Sequence, residues 1–167
     1  KILSQGFEAL RSVIREGIAE YEVQAQMDVM LRRAGDQAAG RVRGFNAEQR
    51  GAVAFGSSAA AASAFDGPVG QPGRNMLAPM GAGEQVITAG KPVLVDVIAG
   101  FNGYLTDMTR TYSIGQLDAR FSEAHQVCVG ILEGIAEQLV PGAIPEELYL
   151  QALEEAEQAG FSEHFMN

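Results

Sequence analysis

Residues 93–111 read VLVDVIAGFNGYLTDMTRT, and this stretch predicts the β-hairpin around which the rest of the fold is built. An apolar run, Val93–Ala99, leads into Gly100-Phe101-Asn102-Gly103, and a second β-rich run starts at Tyr104. An Asn-Gly pair between two such runs is a strong signal for a tight hairpin turn. We therefore expect two long antiparallel strands, at 93–99 and 104–114, joined through residues 100–103.

Each predicted strand carries one aspartate, Asp96 on the first and Asp107 on the second. If Phe101-Asn102 forms the tip, the two are directly opposite at roughly 5 Å between Cβ atoms; with Asn102-Gly103 at the tip they are diagonal neighbours at roughly 7 Å. Both registers place the carboxylates on one face, whereas a bulge of one residue would separate them. Leu94 and Ile98 share this face, so we expect Asp96 to be at least partly buried.

Two carboxylates on one partly buried face repel each other, so either a proton or a cation should lie between them. A pair of divalent ions about 3.5–4 Å apart, bridged by one carboxylate, fits this spacing. Oxygen ligands favour Mn, and Co and Zn are the alternatives. Pairs of aspartates at this separation also occur as turn caps or solvated groups, so the surrounding sequence must decide between the two interpretations.

The rest of the chain predicts an α+β fold built on a repeated helix pair. Helical spacing of apolar residues and Gly or Pro breaks predict helices at 3–16, 20–34, 118–140 and 145–159, with a further strand at 51–55 and an irregular segment at 56–83. Residues 17–35 and 142–160 align without gaps, and both copies end in Ala-Gly. We interpret them as parts of two related halves, each a helix pair followed by strands.

Composition narrows the function classes. The chain has 167 residues, 47% of them hydrophobic, which suits one domain or a large part of one. Its formal net charge of -9 argues against a nucleic-acid partner and against an anionic membrane surface. No apolar run approaches the ~20 residues that span a bilayer. Cys128 is the single cysteine, so no internal disulfide can form, and a cytoplasmic location is expected.

The hairpin sequence resembles a known family. Val93-Leu94-Val95-Asp96 followed by GYLTDMTRT at 103–111 looks like the metal-binding hairpin of the pita-bread metallopeptidases. These include methionine aminopeptidase, Xaa-Pro aminopeptidase, prolidase and the metal-free creatinase. The Asp-x-Thr-Arg-Thr form, followed by Gly115, is closer to the Xaa-Pro branch. The resemblance covers nearly the whole chain, but the second helix pair lacks the strands that should follow it. It therefore implies an incomplete pita-bread fold, in which residues 1–167 would be a C-terminally truncated catalytic domain. Residues 1–115 would be its first half and 116–160 the helices of its second half, whose strands are absent.

The resemblance also implies roles for the two aspartates. Asp96 would bind one of two divalent metal ions, and Asp107 would bridge both. The implied enzyme is a cytoplasmic aminopeptidase or dipeptidase that hydrolyses Xaa-Pro bonds in peptides through a metal-bridging hydroxide. The family pattern requires three more ligands, a His in a His-Gly-x-Gly segment and two Glu, and none of them occurs here. His125 and His164 do not match that motif, so we expect this chain alone to be inactive.

Secondary site residues are predicted less specifically. Thr109 shares the face of Asp107 and could support the metal site, although a Thr in a strand is also an ordinary β-forming residue. Arg110 should point away from both aspartates by simple alternation. The segment Phe65, Asp66, Gly67 and Pro68 is a candidate pocket rim, with a plain turn as the alternative interpretation.

Two other functions remain open at this point. The domain could be a non-catalytic pita-bread binding module, or a metal-free creatinase-like hydrolase. A buried pair of aspartates counts against both. The apolar positions along 118–159 also need a partner surface, either the sheet of the first hairpin or another copy in a homo-oligomer.

Overall fold

The computed structural model describes residues 1–37, 40–41, 48–49, 51–60, 73–74 and 81–165. The chain divides into two compact units, Lys1–Leu117 and Asp118–Asn167. In the first unit the elements are helices α1 (Ile2–Leu10) and α2 (Glu20–Arg33) and strands β1 (Gly40–Arg41), β2 (Glu48–Gln49), β3 (Gly51–Phe55), β4 (Pro92–Phe101) and β5 (Tyr104–Ser113). The second unit contains α3 (Ala119–Gln138) and α4 (Pro145–Gln158). Short 3-10 turns occupy Gly56–Ala60 and Ser162–His164.

Helix α1 is shorter than predicted, ending at Leu10 instead of residue 16. The amides of Val13 and Ile14 both donate to the Leu10 carbonyl, which closes the helix in a tight turn. The chain then turns toward residues 86–87, where Gly17 N donates to Ile87 O over 2.9 Å. Pairing with that segment replaces further helical bonds, so the apolar Val13 and Ile14 pack on the core from a turn.

Strands β3, β4 and β5 form an antiparallel sheet in that order. The core of the first unit lies between one face of this sheet and the two helices. Alternate residues of β4 point into it and are buried: Val93, Val95, Val97 and Ala99. They pack with Leu3, Phe7, Leu10, Val23, Met27 and Leu31 of the helices. The opposite face of β4 carries Leu94, Asp96 and Ile98, because successive side chains alternate across a strand.

The hairpin has the second of the two predicted registers. Phe101 pairs with Tyr104, so Asn102 and Gly103 form the tip, both with positive φ (50° and 82°). Two positive φ values in a two-residue turn match the right-handed twist of the strands. β4 extends two residues into the predicted four-residue turn, to Phe101, and β5 begins at Tyr104 as predicted, so only Asn102 and Gly103 lie outside the ladder.

The predicted match between residues 17–35 and 142–160 is confirmed for the bounds of the helices that they contain. α2 and α4 each contain 14 residues, and each begins and ends at positions matched by the sequence alignment. The residues buried on α2 (Val23, Met27, Leu31) correspond to those on α4 (Leu148, Ala152, Ala156). Each helix ends in the same way, with Asp36 N donating to Leu31 O and Phe161 N to Ala156 O. The two segments therefore share one local design: extended N-cap, buried stripe and glycine stop.

In the second unit, α3 and α4 bury a small core of Ile131, Ala152 and Ala156, with Val127, Ile135 and Phe165 packed against it. Other apolar side chains of these helices are exposed, among them Leu132 at 68% and Leu139 at 67%. Cys128 is exposed because it lies off the stripe of α3 that faces α4. Within the described part of the chain, none of the helices is long and apolar enough to cross a membrane.

Candidate metal centre

Asp96 and Asp107 lie on neighbouring strands with their side chains on the same face. Asp96 pairs with Thr109, and Asp107 pairs with Ile98, so the two aspartates are diagonal neighbours. Their positions differ by two residues along β5, which preserves the face. The geometric prediction is confirmed in its diagonal form.

The two carboxylates differ in burial. Asp96 is only 9% exposed, as its position between Leu94 and Ile98 predicted. Asp107 is exposed, so the expectation of two carboxylates buried together is wrong in that respect. β4 is the central strand of the three, with Ala52 of β3 opposite Asp96 on its other side, whereas Asp107 lies on β5 at the edge of the described sheet. One group is therefore set into the sheet and the other is open to solvent.

The environment of Asp96 disfavours its charge. Burial raises the pKa of this carboxyl above its usual value of 3.8, a hydrogen bond from Thr109 lowers it, and the charge of Asp107 and a hydrogen bond with the Asp107 side chain raise it again. The net direction is upward. A cation placed against both carboxylates would relieve the repulsion and stabilise the ionised form.

Thr109 is the direct side-chain partner of Asp96. Its Oγ1 donates to Asp96 Oδ1 over 2.8 Å. The sequence suggested Thr109 as a support for the site, and its observed contact is with a carboxylate. A carboxylate fixed by a hydrogen bond from a neighbouring side chain is the usual outer support of a metal ligand.

Arg110 points away from the aspartates, as alternation predicted. Its guanidinium carbon lies 5.8 Å from the centroid of the Phe7 ring, on the α1 side of the sheet. The next residue on this side, Tyr112, donates from its hydroxyl to Phe7 O over 2.7 Å. Arg110 and Tyr112 thus join β5 to α1 on the face of the sheet opposite the aspartates.

The predicted pocket rim, Phe65, Asp66, Gly67 and Pro68, lies outside the described residues. His125 is exposed on α3 and belongs to the second unit. Among the residues that the structure describes, no group of three or more His, Cys, Asp and Glu side chains is arranged to hold a metal ion. Asp96 and Asp107 nevertheless have the oxygen donors and the shared face that part of a metal centre would need.

Two buried carboxylates at the ends of α2 were not singled out from the sequence. Glu20 is fully buried and accepts hydrogen bonds from Phe55 N (2.7 Å), the Ser58 hydroxyl and Gly83 N (3.0 Å). Asp36, just past the other end, accepts from Gly100 N over 2.8 Å. In sequence, Glu20 looks like an ordinary acidic residue of a first helical turn. For Asp36, the only signal in the sequence is its position directly after Gly35, where the helix ends.

Comparison with known proteins agrees with this architecture. The structure is similar to the X-Pro aminopeptidase of Thermotoga maritima, with a TM-score of 0.76 at 22% identity over 97% of this chain and 39% of that one. It is similar to the prolidase of Pyrococcus furiosus, with a TM-score of 0.75 at 22% identity over 99% of this chain and 42% of that one. At such identities the likeness shows the fold, an incomplete form of the α+β pita-bread fold that the hairpin predicted.

The family follows from the sequence as a whole. The model of metallopeptidase family M24 matches residues 1–167, so this chain belongs to that family. A curated relative, the putative dipeptidase YkvY of Bacillus subtilis, is 26% identical over 99% of this chain and 39% of its own length. The probable dipeptidase PepE of Mycobacterium tuberculosis is 28% identical over 52% of this chain and 24% of its own length. The chain thus spans about two fifths or less of the relatives that it matches.

Proposed function

We propose that this chain supplies two carboxylate ligands, Asp96 and Asp107, to the two-metal centre of a peptidase that cleaves Xaa-Pro bonds. The observation that carries the proposal is the placement of both aspartates on one face of the β4–β5 hairpin, in a member of a metallopeptidase family. The sequence Asp-Met-Thr-Arg-Thr at 107–111 supports the Xaa-Pro branch.

The two residues would have different tasks. Asp96 is buried and accepts a hydrogen bond from Thr109, so its carboxylate is held in a fixed orientation. It would hold a single ion. Asp107 is exposed on the neighbouring strand, so both of its oxygens can be reached from the open face, as a bridging ligand requires. When bound, a pair of divalent ions activates the attacking water and polarises the scissile carbonyl. The described residues of this chain contribute ligands and their orientation to this reaction.

The metal that suits these donors is a hard divalent ion. Both ligands are carboxylates, which favour Mn over softer ions, while Co and Zn remain alternatives. Burial and repulsion from Asp107 both oppose the charge on Asp96, so two ionised carboxylates are disfavoured without a cation between them. A divalent ion offsets that repulsion, and its affinity should fall when either charge is removed.

The substrate is proposed at the level of a short peptide with proline in the second position. Prolidases and an X-Pro aminopeptidase share the fold, and the curated relatives are named as dipeptidases. These names leave two substrate classes, Xaa-Pro peptides and other dipeptides. We expect the enzyme in the cytoplasm, as its single cysteine suggested.

The test uses the protein at its natural full length, assayed with Mn on an Xaa-Pro peptide and on a matched Xaa-Ala peptide. Asp107→Asn should abolish turnover, because a bridging ligand loses its charge, and Asp96→Asn should reduce it severely. Asp28→Asn on α2 removes a carboxylate that contacts Gln24 and should leave the rate unchanged. Unchanged turnover in Asp107→Asn would remove this residue from the mechanism.

The same assay separates the alternative functions. Full turnover of the wild-type protein after exhaustive chelation would indicate a metal-free, creatinase-like hydrolase. Absence of turnover with any divalent ion on any short peptide would favour a binding module. Equal cleavage of the Xaa-Ala and Xaa-Pro peptides would preserve the peptidase proposal and reject the proline specificity.

A further inference from the structure

The turn that follows α2 is docked on the far end of the β4–β5 hairpin. Asp36 Oδ1 accepts a hydrogen bond from Gly100 N, and Gln37 N donates to Gly100 O, both over 2.8 Å. At the hairpin tip, Asn102 N donates to Gln37 Oε1 over 2.9 Å. Residues 36–37 therefore engage both backbone polar groups of Gly100 and one amide of the turn.

These hydrogen bonds support β4 beyond the point where its pairing with β3 ends. β3 pairs with β4 from Phe55 opposite Val93 to Gly51 opposite Val97. Asp96 lies within this paired part, whereas Asp107 is opposite Ile98, just beyond it. Between Val97 and the tip, the described bonds to the free edge of β4 come from residues 36–37. The position of Asp107 relative to Asp96 thus depends on a part of the hairpin held by the α2 turn.

The helix dipole does not explain the carboxylate of Asp36. A negative charge just past a helix C-terminus is disfavoured by the helix dipole. Burying a carboxylate is also costly unless it is paired and hydrogen-bonded, and Asp36 is 9% exposed. Its partners include the Gly100 amide and Arg32, whose Nη1 lies 3.4 Å from Oδ2. The positive φ of Gly35 (102°) and the bond from Asp36 N to Leu31 O fix the side chain at this place.

We propose that Asp36 is a positioning residue that sets the separation of Asp96 and Asp107 for a divalent metal pair. It acts through the backbone of Gly100 and touches neither the metal nor the substrate. The inference rests on the proposed metal function of the two aspartates and adds a residue from outside the hairpin to that site.

The chain offers a matched control at the other end of the same helix. Glu20 is also a buried carboxylate that accepts backbone hydrogen bonds, and its partners are Phe55, Ser58 and Gly83. None of these three residues lies on β4 or β5. Glu20→Ala should therefore destabilise the unit as Asp36→Ala does, without releasing the segment that carries Asp107.

The experiment measures Mn binding by calorimetry and unfolding by urea, on the protein at its natural full length. Asp36→Ala should weaken Mn affinity by about 10-fold, the low end of the loss on removing a hydrogen-bond partner of a metal ligand, because Asp36 acts less directly, through Gly100. Asp36→Asn keeps an oxygen acceptor for Gly100 N and should recover most of that loss. Glu20→Ala should unfold at lower urea but bind Mn as the wild type does. Unchanged Mn affinity in Asp36→Ala, or an equal loss in Glu20→Ala, would overturn the proposal.

A second measurement distinguishes failure of this inference from failure of the proposed function. Amide hydrogen exchange is followed in the metal-free protein at Gly100 and along Thr106–Met108. Faster exchange there in Asp36→Ala, and not in Glu20→Ala, supports the positioning role even if the wild type binds no Mn. In that case only the metal function fails. No difference between the two variants at these amides overturns the role of Asp36 whatever the metal result.

Discussion

Thr109 donates a 2.8 Å hydrogen bond from Oγ1 to Oδ1 of Asp96, its directly opposed partner on β4. The bond joins an exposed donor to a buried acceptor, and it favours the ionised form of the carboxyl. It therefore works against burial and against the charge of Asp107, both of which raise the pKa of Asp96. The Thr109 hydrogen bond therefore compensates the charge of Asp96 only in part.

Removing this donor should raise the pKa of Asp96 further. Thr109→Val keeps the β-branched shape that suits a strand and deletes the hydroxyl. The pKa can be followed by NMR of the Asp96 side-chain carboxyl carbon in metal-free protein over an acid titration. Thr111→Val, two residues along the same face, serves as the control and should leave the pKa in place. An unchanged Asp96 pKa in Thr109→Val would show that the bond does not stabilise the charge.

Metal-free Asp96→Asn should be more stable than the wild type at pH 7. Because the folded pKa is raised above 3.8, the folded protein holds the Asp96 proton more tightly than the unfolded chain does. The stability of the wild type therefore falls as the pH rises through this window and stays lower above it. Asparagine does not ionise and still offers Thr109 an acceptor. Because the Thr109 hydrogen bond offsets part of this penalty, the expected gain is below about 1 kcal/mol.

Urea unfolding with a chelator at pH 3 and pH 7 measures this difference. The gain should appear at pH 7 and vanish at pH 3, where both states of the wild type are protonated. Saturating Mn should reverse the order, because the metal stabilises only the protein that binds it. A wild type more stable than Asp96→Asn at pH 7 under chelation would contradict the charge penalty.

Gly51→Ala should break the sheet next to the candidate site. Gly51 has φ 123°, and a Cβ there would lie 2.1 Å from the backbone oxygen of Asp96. Gly103 at the hairpin tip also has positive φ (82°), but a Cβ there meets nothing within 4 Å. Both alanine variants incur backbone strain of about 1–3 kcal/mol. Only Gly51→Ala adds a clash with β4, worth about 1–3 kcal/mol more.

Comparing the urea midpoints of these two variants isolates the clash from the strain. Gly51→Ala should also bind Mn more weakly in the full-length protein, since its clash is with the strand that holds Asp96. Equal stability losses in the two variants would mean that β3 can shift away from β4 without cost.

The hairpin was predictable because its signals are local. Alternation, the Asn-Gly pair and the spacing of two aspartates are all contained in 93–111, and the structure confirms the shared face and the diagonal register. α2 was predictable for the same reason, with an apolar stripe and the Gly35 stop. Sequence alone left two registers open, because the choice depends on which residues adopt positive φ at the tip.

Contacts between distant segments were not predictable. The α1 end at Leu10 depends on pairing with residues 86–87, and the burial of Glu20 depends on Phe55 and Gly83. Asp36 meets Gly100 across 64 positions of sequence. Such partners leave no periodic signal, so buried acidic residues look like ordinary surface charges. The metal roles proposed for Asp96 and Asp107 come from the family resemblance, because their spacing alone does not distinguish a metal site from a turn cap.

A polypeptide of residues 1–167 alone should bind divalent metal weakly and show no peptidase activity. A two-metal centre needs several carboxylate and imidazole donors that converge on the ions. Within the described residues, Asp96 and Asp107 have no third His, Cys, Asp or Glu to complete such a cluster. Of these two ligands, only Asp96 is fixed by burial and by a side-chain hydrogen bond from Thr109.

Calorimetry with Mn and a coupled proline-release assay test this expectation. A double variant, Asp96→Asn with Asp107→Asn, is the control: loss of the remaining weak binding would place that binding at the pair. Micromolar binding of two ions together with turnover would mean that these residues contain a complete centre. Weak single-ion binding, lost in the double variant, would instead fit a pair of carboxylates whose repulsion one cation relieves.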